Sequence, residues 1–216
     1  MERPEITEEK VKTLLETKYV SLYDLQYREG AHYFDASRRK KEDLIALKSD
    51  AEFRALHADA VSCFVTVRTP GGEPRLLLFY EYRYPTGQYL LSPPAGLLDE
   101  EDKADPEPLF SAARREILEE TGIRVQDEDL RVLSPLVFSS PGLTDECNAL
   151  IAADVTLPDL SALSHKGAVG TENFGDFRLF TKEEAREVLL KGRDEYGNFY
   201  SVYTYAALQH FVSEAE

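Results

Sequence analysis

The chain has 216 residues, of which 43% are hydrophobic, enough for one large domain or for a domain with a smaller extension. Its formal net charge of −15 at pH 7 argues against broad binding to nucleic acids or to anionic membranes. Two cysteines argue against a disulfide scaffold, and Cys63, in an apolar run, is expected to be a small buried hydrophobic residue. Because neither a signal peptide nor a membrane-length apolar run stands out, we expect a soluble, cytoplasmic protein.

The N-terminal quarter of the chain predicts a small β structure. Thr7 to Tyr19 predicts a charged helix or an irregular segment. Tyr19–Arg28 alternates apolar and polar residues and predicts a strand, and Ala31–Ser37 is its expected partner. Because these stretches are too short for an independent core, we expect residues 1–59 to be an extension of a main domain at 60–216.

A basic run, Arg38–Lys41, follows the second predicted strand. It is either a solvated surface or a place where Arg38 or Arg39 reaches a phosphate group of a substrate. Tyr33 and Phe34, on the strand before it, could stack on a base or could serve a core or a dimer contact.

The remaining three quarters of the chain mix predicted strands and helices. Strands are predicted from β-branched and aromatic residues at Ala60–Thr69, Arg75–Tyr84, Leu130–Phe138, Ala149–Val155 and Phe177–Thr181. Helices are predicted at Pro106–Thr121, Lys182–Lys191 and Ser201–Glu214, and a loop at Leu157–Thr171. This mixture predicts an α/β or α+β sandwich.

The first of these helices has clear signals at both ends. Asp105 is a good N-cap and Pro106 a good first helical residue. Gly122 stands where a left-handed C-terminal cap is expected. The apolar residues between them follow a helical period: Leu109, Ala112, Ala113, Ile117 and Leu118.

Three glutamates share one face near the C-terminal end of this helix. Glu116, Glu119 and Glu120 are spaced i, i+3, i+4. Their mutual repulsion, and the negative end of the helix dipole, are unfavourable unless a cation neutralises them. Oxygen ligands in this number suit Mg²⁺ or Mn²⁺. The alternative is a solvated acidic face, which is common in a chain with 40 acidic residues.

The segment Gly96–Ile123 resembles the Nudix box, whose pattern is Gly, five residues, Glu, seven residues, then Arg-Glu-aliphatic-x-Glu-Glu-x-Gly-aliphatic. Glu107, the spacer after it, and Arg115 through Ile123 fit this pattern. Gly96 fits in type, but 10 residues separate it from Glu107, so the loop Leu97–Pro106 is longer than the pattern allows.

Other segments resemble the ADP-ribose pyrophosphatase branch of that family: Glu81–Gly87, Pro94–Gly96 and Ser140–Glu146. Ser92 stands where the branch usually has a glutamate. The resemblance implies an α/β/α sandwich with a mixed sheet and a small N-terminal β extension that pairs two chains into a homodimer. It also implies hydrolysis of ADP-ribose to AMP and ribose 5-phosphate with Mg²⁺ or Mn²⁺.

The resemblance also assigns roles to single residues. Glu116, Glu120 and the carbonyl of Ala95 are the expected metal ligands. Glu119 is a further ligand or orients the attacking water, and Arg115 holds the carboxylates through an ion pair, unless it forms only a surface salt bridge.

The general base and the phosphate contacts are less closely defined. Glu172 is the first candidate for the base and Glu146 the second, and either is otherwise a loop carboxylate. Arg83 and Arg38 are candidates for binding substrate phosphates.

Two alternatives stay open. The first is a non-enzymatic module that senses a nucleotide sugar on the same scaffold. The second is a Nudix hydrolase of another diphosphate or of a triphosphate.

Overall fold

The protein is described by a computed structural model over residues 4–167 and 172–214. The end of the predicted loop Leu157–Thr171, at 168–171, lies outside these residues. The chain forms two compact units: Met1–Asp59 with Leu136–Asn148, and Ala60–Pro135 with Ala149–Glu216. The division into an extension at 1–59 and a main domain at 60–216 stays a prediction.

The first unit contains an antiparallel sheet in the order β1-β2-β3. Its strands are β1 (Val11–Glu16), β2 (Ser21–Arg28) and β3 (Ala31–Ser37). The prediction of a helix or an irregular segment at Thr7–Tyr19 was wrong, because a 3₁₀ turn at Glu8–Lys10 leads directly into β1. Pairing with β2 decides this, since it supplies hydrogen-bond partners that local propensity does not anticipate. The predicted strand pair β2 and β3 is confirmed.

A small apolar cluster stabilises this unit. Val11, Tyr23, Leu25 and Leu44 are all buried in it. A short helix that the sequence analysis missed, α1 (Asp50–Arg54), starts at a capping box formed by Ser49 and Glu52.

The second sheet has seven strands, with the central order β10-β5-β4-β9-β8 and with β6 paired to β5 and β7 to β4. The sheet is mixed. The predicted strands are confirmed with small changes of their ends, and two short ones, β6 and β7, were missed. Their bounds are β4 (Ala60–Arg68), β5 (Arg75–Arg83), β6 (Gln88–Ser92), β7 (Ala95–Leu97), β8 (Leu130–Phe138), β9 (Cys147–Thr156) and β10 (Phe174–Phe180).

Helices cover both faces of β4. The remaining helices are α2 (Glu100–Ala104), α3 (Pro108–Thr121), α4 (Lys182–Lys191) and α5 (Val202–Ser213). Phe64 packs in an apolar cluster with residues of α4 and α5. Cys63, which alternation places on the opposite face, is fully buried and close enough to Glu116 and Glu120 of α3 for their charges to raise its thiol pKa, after burial itself. The α/β/α sandwich and the burial of Cys63 are therefore confirmed.

Helix α3 starts two residues later than predicted. Glu107 is its N-cap and Pro108 its first residue, whereas Asp105 is the C-cap of α2. The Asp105 carboxylate accepts a hydrogen bond from the Glu107 backbone N–H at 2.8 Å, so it stabilises the turn between two helices. The predicted end is confirmed, since Gly122 is in the left-handed conformation with φ 77°. Within the described residues, the helices are all too short or too polar to cross a membrane.

Candidate active site

The candidate site is built around the C-terminal half of α3, where Glu116 is buried against β7. A Cβ atom on Gly96 would lie 1.9 Å from the Glu116 Oε1 atom, so the close approach of this carboxylate requires glycine. Burial, and then the charges of Glu119 and Glu172, raise the pKa of Glu116 to about 7, although Arg115 opposes the shift.

Glu120 lies one helical turn further and is 3% exposed. Its Oε2 atom accepts a hydrogen bond of 2.9 Å from the Ala95 backbone N–H. Burial raises the pKa of Glu120 well above its usual value, and the charges of Glu116, Glu81 and Glu172 raise it further. The protein therefore holds a carboxyl group here that is costly to ionise without a nearby cation.

Arg115 connects the acidic face to the segment after β7. Its Nη1 atom lies 2.6 Å from Glu116 Oε1 and 3.4 Å from Glu119 Oε2. Its Nη2 atom lies 2.6 Å from Asp102 Oδ2 and donates to the Leu97 carbonyl at 2.8 Å. The ion pair expected of Arg115 is thus present, and it includes an acid, Asp102, that the sequence analysis did not select.

The donor set fits a hard divalent cation, because it consists of carboxylates and a nearby backbone carbonyl, that of Ala95. Among residues 4–167 and 172–214, however, no three His, Cys, Asp or Glu side chains are gathered at metal-binding distances. Arg115 instead holds Glu116, and Ala95 contacts Glu120 through its N–H group. Glu116, Glu120, Glu119 and the Ala95 carbonyl are the groups that would hold the ion.

Two further carboxylates come close to this face. The charge of Glu172 contributes to the raised pKa values of Glu81, Glu116 and Glu120. Glu81, on β5, was not assigned a role from the sequence. Burial raises its pKa, which Arg83 and a hydrogen bond with Ser92 partly offset. Ser92 stands on β6 where the ADP-ribose branch usually has a glutamate, and the carboxylate beside it is that of Glu81 on the neighbouring strand β5.

Arg83 lies at the end of β5, and its Nη2 atom is 2.6 Å from Glu81 Oε2. Its side chain is 45% exposed, so it remains accessible beside the acidic cluster. Tyr82 and Tyr89 pack edge to face next to it, and the Tyr89 hydroxyl donates to Asn173 at 2.9 Å. These contacts link the β5–β6 hairpin to the segment that contains Glu172.

The loop after β9 docks on the C-terminal end of α3. Ser164 N–H donates to the Thr121 carbonyl at 2.9 Å. The two ring nitrogens of His165 lie 2.5 Å from the Glu120 carbonyl and 2.9 Å from the Gly175 carbonyl. His165 also stacks on Phe177. This histidine was not predicted from the sequence, because a single histidine in a loop has no recognisable pattern.

Arg38 and Glu146 belong to the first unit, where Arg38 Nε lies 2.5 Å from Glu146 Oε2. The phosphate contact expected of Arg38 and the role of base considered for Glu146 both stay predictions. Arg39, the other candidate for a phosphate contact, is 15% exposed and pairs with Asp59 at 2.6 Å.

A sequence model of the NUDIX domain matches residues 56–202. The chain belongs to the Nudix family. The match includes β4 to β10, the acidic face of α3 and the loop with His165.

Several curated Nudix relatives share part of the chain. The putative nudix hydrolase 2 of Caenorhabditis elegans is 39% identical over 98 residues, which are 45% of this chain and 40% of the relative. Nudix hydrolase 14, chloroplastic, of Arabidopsis thaliana is 39% identical over 83 residues, which are 35% of this chain and 26% of the relative. An uncharacterized Nudix hydrolase of Schizosaccharomyces pombe is 31% identical over 103 residues, which are 47% of this chain and 45% of the relative. The alignments thus span less than half the length of these relatives.

A solved structure described as an ADP compounds hydrolase has a similar fold, with a TM-score of 0.58 and 19% identity. The similarity covers 92% of this Nudix chain and 88% of the other. It supports the fold over almost the whole chain.

Proposed function

We propose that this Nudix protein is a metal-dependent pyrophosphohydrolase that cleaves a nucleoside diphosphate linked to another moiety. The observation that carries the proposal is the pair of buried carboxyl groups, Glu116 and Glu120, on the face of α3 that lies against β7. The charge of Glu172 raises the pKa values of both. Such a cluster is unfavourable by itself and becomes favourable around a divalent cation. Mg²⁺ or Mn²⁺, when bound, would neutralise charge on the diphosphate and polarise the phosphoryl group under attack.

The residues of the chain would divide the remaining work. Arg115 holds Glu116 in place through its Nη1 atom. Glu172 is the proposed general base, since its charge acts on both Glu116 and Glu120, and Glu119, 32% exposed, would orient the water. The exposed guanidinium of Arg83 would bind a substrate phosphate, in exchange for part of its pairing with Glu81.

ADP-ribose is the substrate that we propose, with AMP and ribose 5-phosphate as products. The segments Pro94–Gly96 and Ser140–Glu146 resemble the ADP-ribose branch, and the structural neighbour is described as an ADP compounds hydrolase. Binding energy from the second half of an extended substrate would be available in the transition state. We expect the reaction to take place in the cytoplasm.

A substrate panel tests this proposal. ADP-ribose, other nucleoside diphosphate sugars and nucleoside triphosphates would be incubated with Mg²⁺ or Mn²⁺, and products identified by ³¹P NMR. We expect kcat/KM for ADP-ribose to exceed that for any triphosphate by at least ~10-fold, which is about 1.4 kcal/mol. Comparable or faster triphosphate cleavage would discard the ADP-ribose assignment. Binding of a nucleotide sugar without turnover would instead favour a sensing module.

We further propose that the first unit pairs two chains into a homodimer. Tyr33, Phe34 and Phe53 are about half exposed and line an apolar groove of about 400 Å³ within this unit, together with Leu143. Light scattering at micromolar concentration should give twice the chain mass, and Phe34→Asp should reduce it to one chain. Leu190→Asp, on the exposed side of α4, is the matched control. A monomeric mass for the unchanged protein would refute the proposal.

A further inference from the structure

The segment between Gly96 and α3 contains an acid whose contacts the Nudix pattern does not anticipate. Asp102 lies on α2 with its side chain 3% exposed. Its Oδ2 atom accepts two hydrogen bonds from Arg115, one from Nη2 at 2.6 Å and one from Nε at 3.2 Å. Its Oδ1 atom accepts the Ser111 hydroxyl at 2.9 Å. Both carboxylate oxygens are therefore engaged by groups of α3.

Glu107 has the seven-residue separation from Arg115 that the Nudix pattern gives to its first glutamate, but its surroundings differ from those of Asp102. It is exposed at the N-cap of α3. In the described part of the chain, its side chain makes neither a capping hydrogen bond nor an ion pair with Arg115. The backbone carbonyl of Glu107, not its carboxylate, supports the helix by accepting from Phe110 and Ser111.

The position of the extra residues explains the difference. Asp102 follows Gly96 after five residues, the separation that the family pattern requires between its glycine and its acid. The additional residues therefore lie after the acid, between Asp102 and Arg115. They form the end of α2 and the turn into α3, where Asp105 accepts from Glu107 N–H. The short helix α2 is fixed in place by its own capping box, formed by Asp99 and Asp102.

We propose that Asp102, and not Glu107, is the acid that positions Arg115 and, through it, the metal-binding Glu116. Arg115 binds Asp102 and the Leu97 carbonyl with Nη2, which leaves Nη1 directed at Glu116 Oε1 at 2.6 Å. A guanidinium held on one edge by a buried carboxylate has few other orientations, so its other edge fixes the Glu116 carboxylate beside Gly96. Asp102 is a positioning residue, and the inference rests on the proposed metal-dependent function.

Mn²⁺ binding, measured by electron paramagnetic resonance, tests this inference without turnover. We expect Asp102→Asn to weaken Mn²⁺ binding at least ~10-fold, the usual effect of removing a residue that orients a metal ligand. Glu107→Gln is the matched control and should bind Mn²⁺ within about twofold of the unchanged protein. Activity should follow the same order, with the loss in kcat rather than in KM for Asp102→Asn.

A second pair of variants keeps the test decisive if Asp102→Asn does not fold. Asp102→Glu keeps the charge but changes the distance to Arg115, and Ser111→Ala removes only the hydroxyl that Oδ1 accepts. Both should stay folded by circular dichroism and weaken Mn²⁺ binding measurably, Asp102→Glu more than Ser111→Ala.

The outcomes separate the inference from the proposed function. Unchanged Mn²⁺ affinity in the folded Asp102 variants, or an equal loss in Glu107→Gln, would overturn the role of Asp102 while leaving the metal site intact. If the unchanged protein binds no Mn²⁺, the proposed function fails first and the role of Asp102 fails with it.

Discussion

Each of the two compact units contains a buried group of acids, and the two groups are stabilised differently. In the first unit, Asp145 accepts hydrogen bonds from the Ser37 hydroxyl at 2.7 Å and from Ile45 N–H at 3.2 Å, and faces Arg39. In the second unit, Glu120 accepts from Ala95 N–H but has further carboxylates as charged neighbours. The acids of the first group face hydrogen-bond donors and a guanidinium. In the second group, Arg115 and Arg83 pair with Glu116 and Glu81, but the charged neighbours of Glu120 are all carboxylates.

This difference separates structural from functional use of buried charge. A buried carboxylate surrounded by donors and a guanidinium holds segments together, as Asp145 joins the segment Leu136–Asn148 to β3 within the first unit. A buried group of like charges has no such stabilising effect and is typical of a functional site.

The largest effect is expected from removing Arg39, the positively charged side chain in the acidic group of the first unit. Arg39 lies 2.6 Å and 2.7 Å from the two carboxylate oxygens of Asp59 and 3.4 Å from Asp145. Arg39→Ala leaves two carboxylates without their partner and should lower the free energy of unfolding by about 3–5 kcal/mol. Urea denaturation measures this, with the exposed Arg54→Ala, expected within about 0.5 kcal/mol, as control. Similar values for the two variants would show that Arg39 has no structural role.

Removing one charge from the second group should mainly affect turnover. Glu116→Gln or Glu120→Gln should lower kcat with Mg²⁺ at least ~10²-fold, or about 2.7 kcal/mol of barrier, because the cation is bound less tightly. Glu187→Gln, on the exposed side of α4, is the control. Full activity of either variant, or of the unchanged protein in EDTA, would contradict the metal assignment.

Glu120→Gln, which should lower activity, should raise thermal stability when no metal is bound. In EDTA, Glu120→Gln removes a buried carboxyl group that must either ionise beside other carboxylates or take up a proton on folding. The unfolding temperature of the variant should therefore be higher than that of the unchanged protein at neutral pH. A lower temperature in EDTA would mean that the glutamates are stabilised by partners within the chain.

Asp35 provides a pH-dependent test within the first unit. Burial, followed by the charge of Asp145, raises its pKa from 3.8 to about 6. The folded state therefore holds the proton of Asp35 more tightly than the unfolded state does. The contribution of this protonated carboxyl group to the free energy of unfolding is fully present below about pH 3.8 and is lost as the pH rises through about 6. Asp35→Asn should raise the free energy of unfolding at pH 7.5 by about 2 kcal/mol and change it little at pH 4. A gain of equal size at both pH values would exclude Asp35 as its source.

The smallest effect is expected from a single hydroxyl. Ser37 is fully buried, donates to Asp145 Oδ1 at 2.7 Å and accepts from Arg39 N–H at 3.0 Å. Ser37→Ala should cost about 1–2 kcal/mol, less than Arg39→Ala, because the guanidinium remains. A cost equal to that of Arg39→Ala would mean that the network is lost as a whole when any member is removed.

Local sequence signals identified most of the second unit correctly. The apolar stripe of α3, its left-handed end at Gly122 and the helix α4 that begins after Thr181 all depend on neighbours a few residues away. The same holds for the acidic face, since i, i+3 and i+4 neighbours share a helix face in any context. The start of α3 was predicted two residues early because both Asp105 and Pro106 are suitable for a helix start, and their actual role is to separate α2 from α3.

By itself, the sequence determined the acidic helix face, the family and the existence of a mixed α/β structure, because these depend on periodicity and on ordered local motifs. The tertiary structure decided which distant groups meet. It grouped residues 136–148 with the N-terminal segment, brought Glu81 and Glu172 to the acidic face, and paired Arg115 with Asp102 instead of Glu107. Spacing along the chain could not decide between the two acids, since Asp102 has the expected separation from Gly96 and Glu107 the expected separation from Arg115.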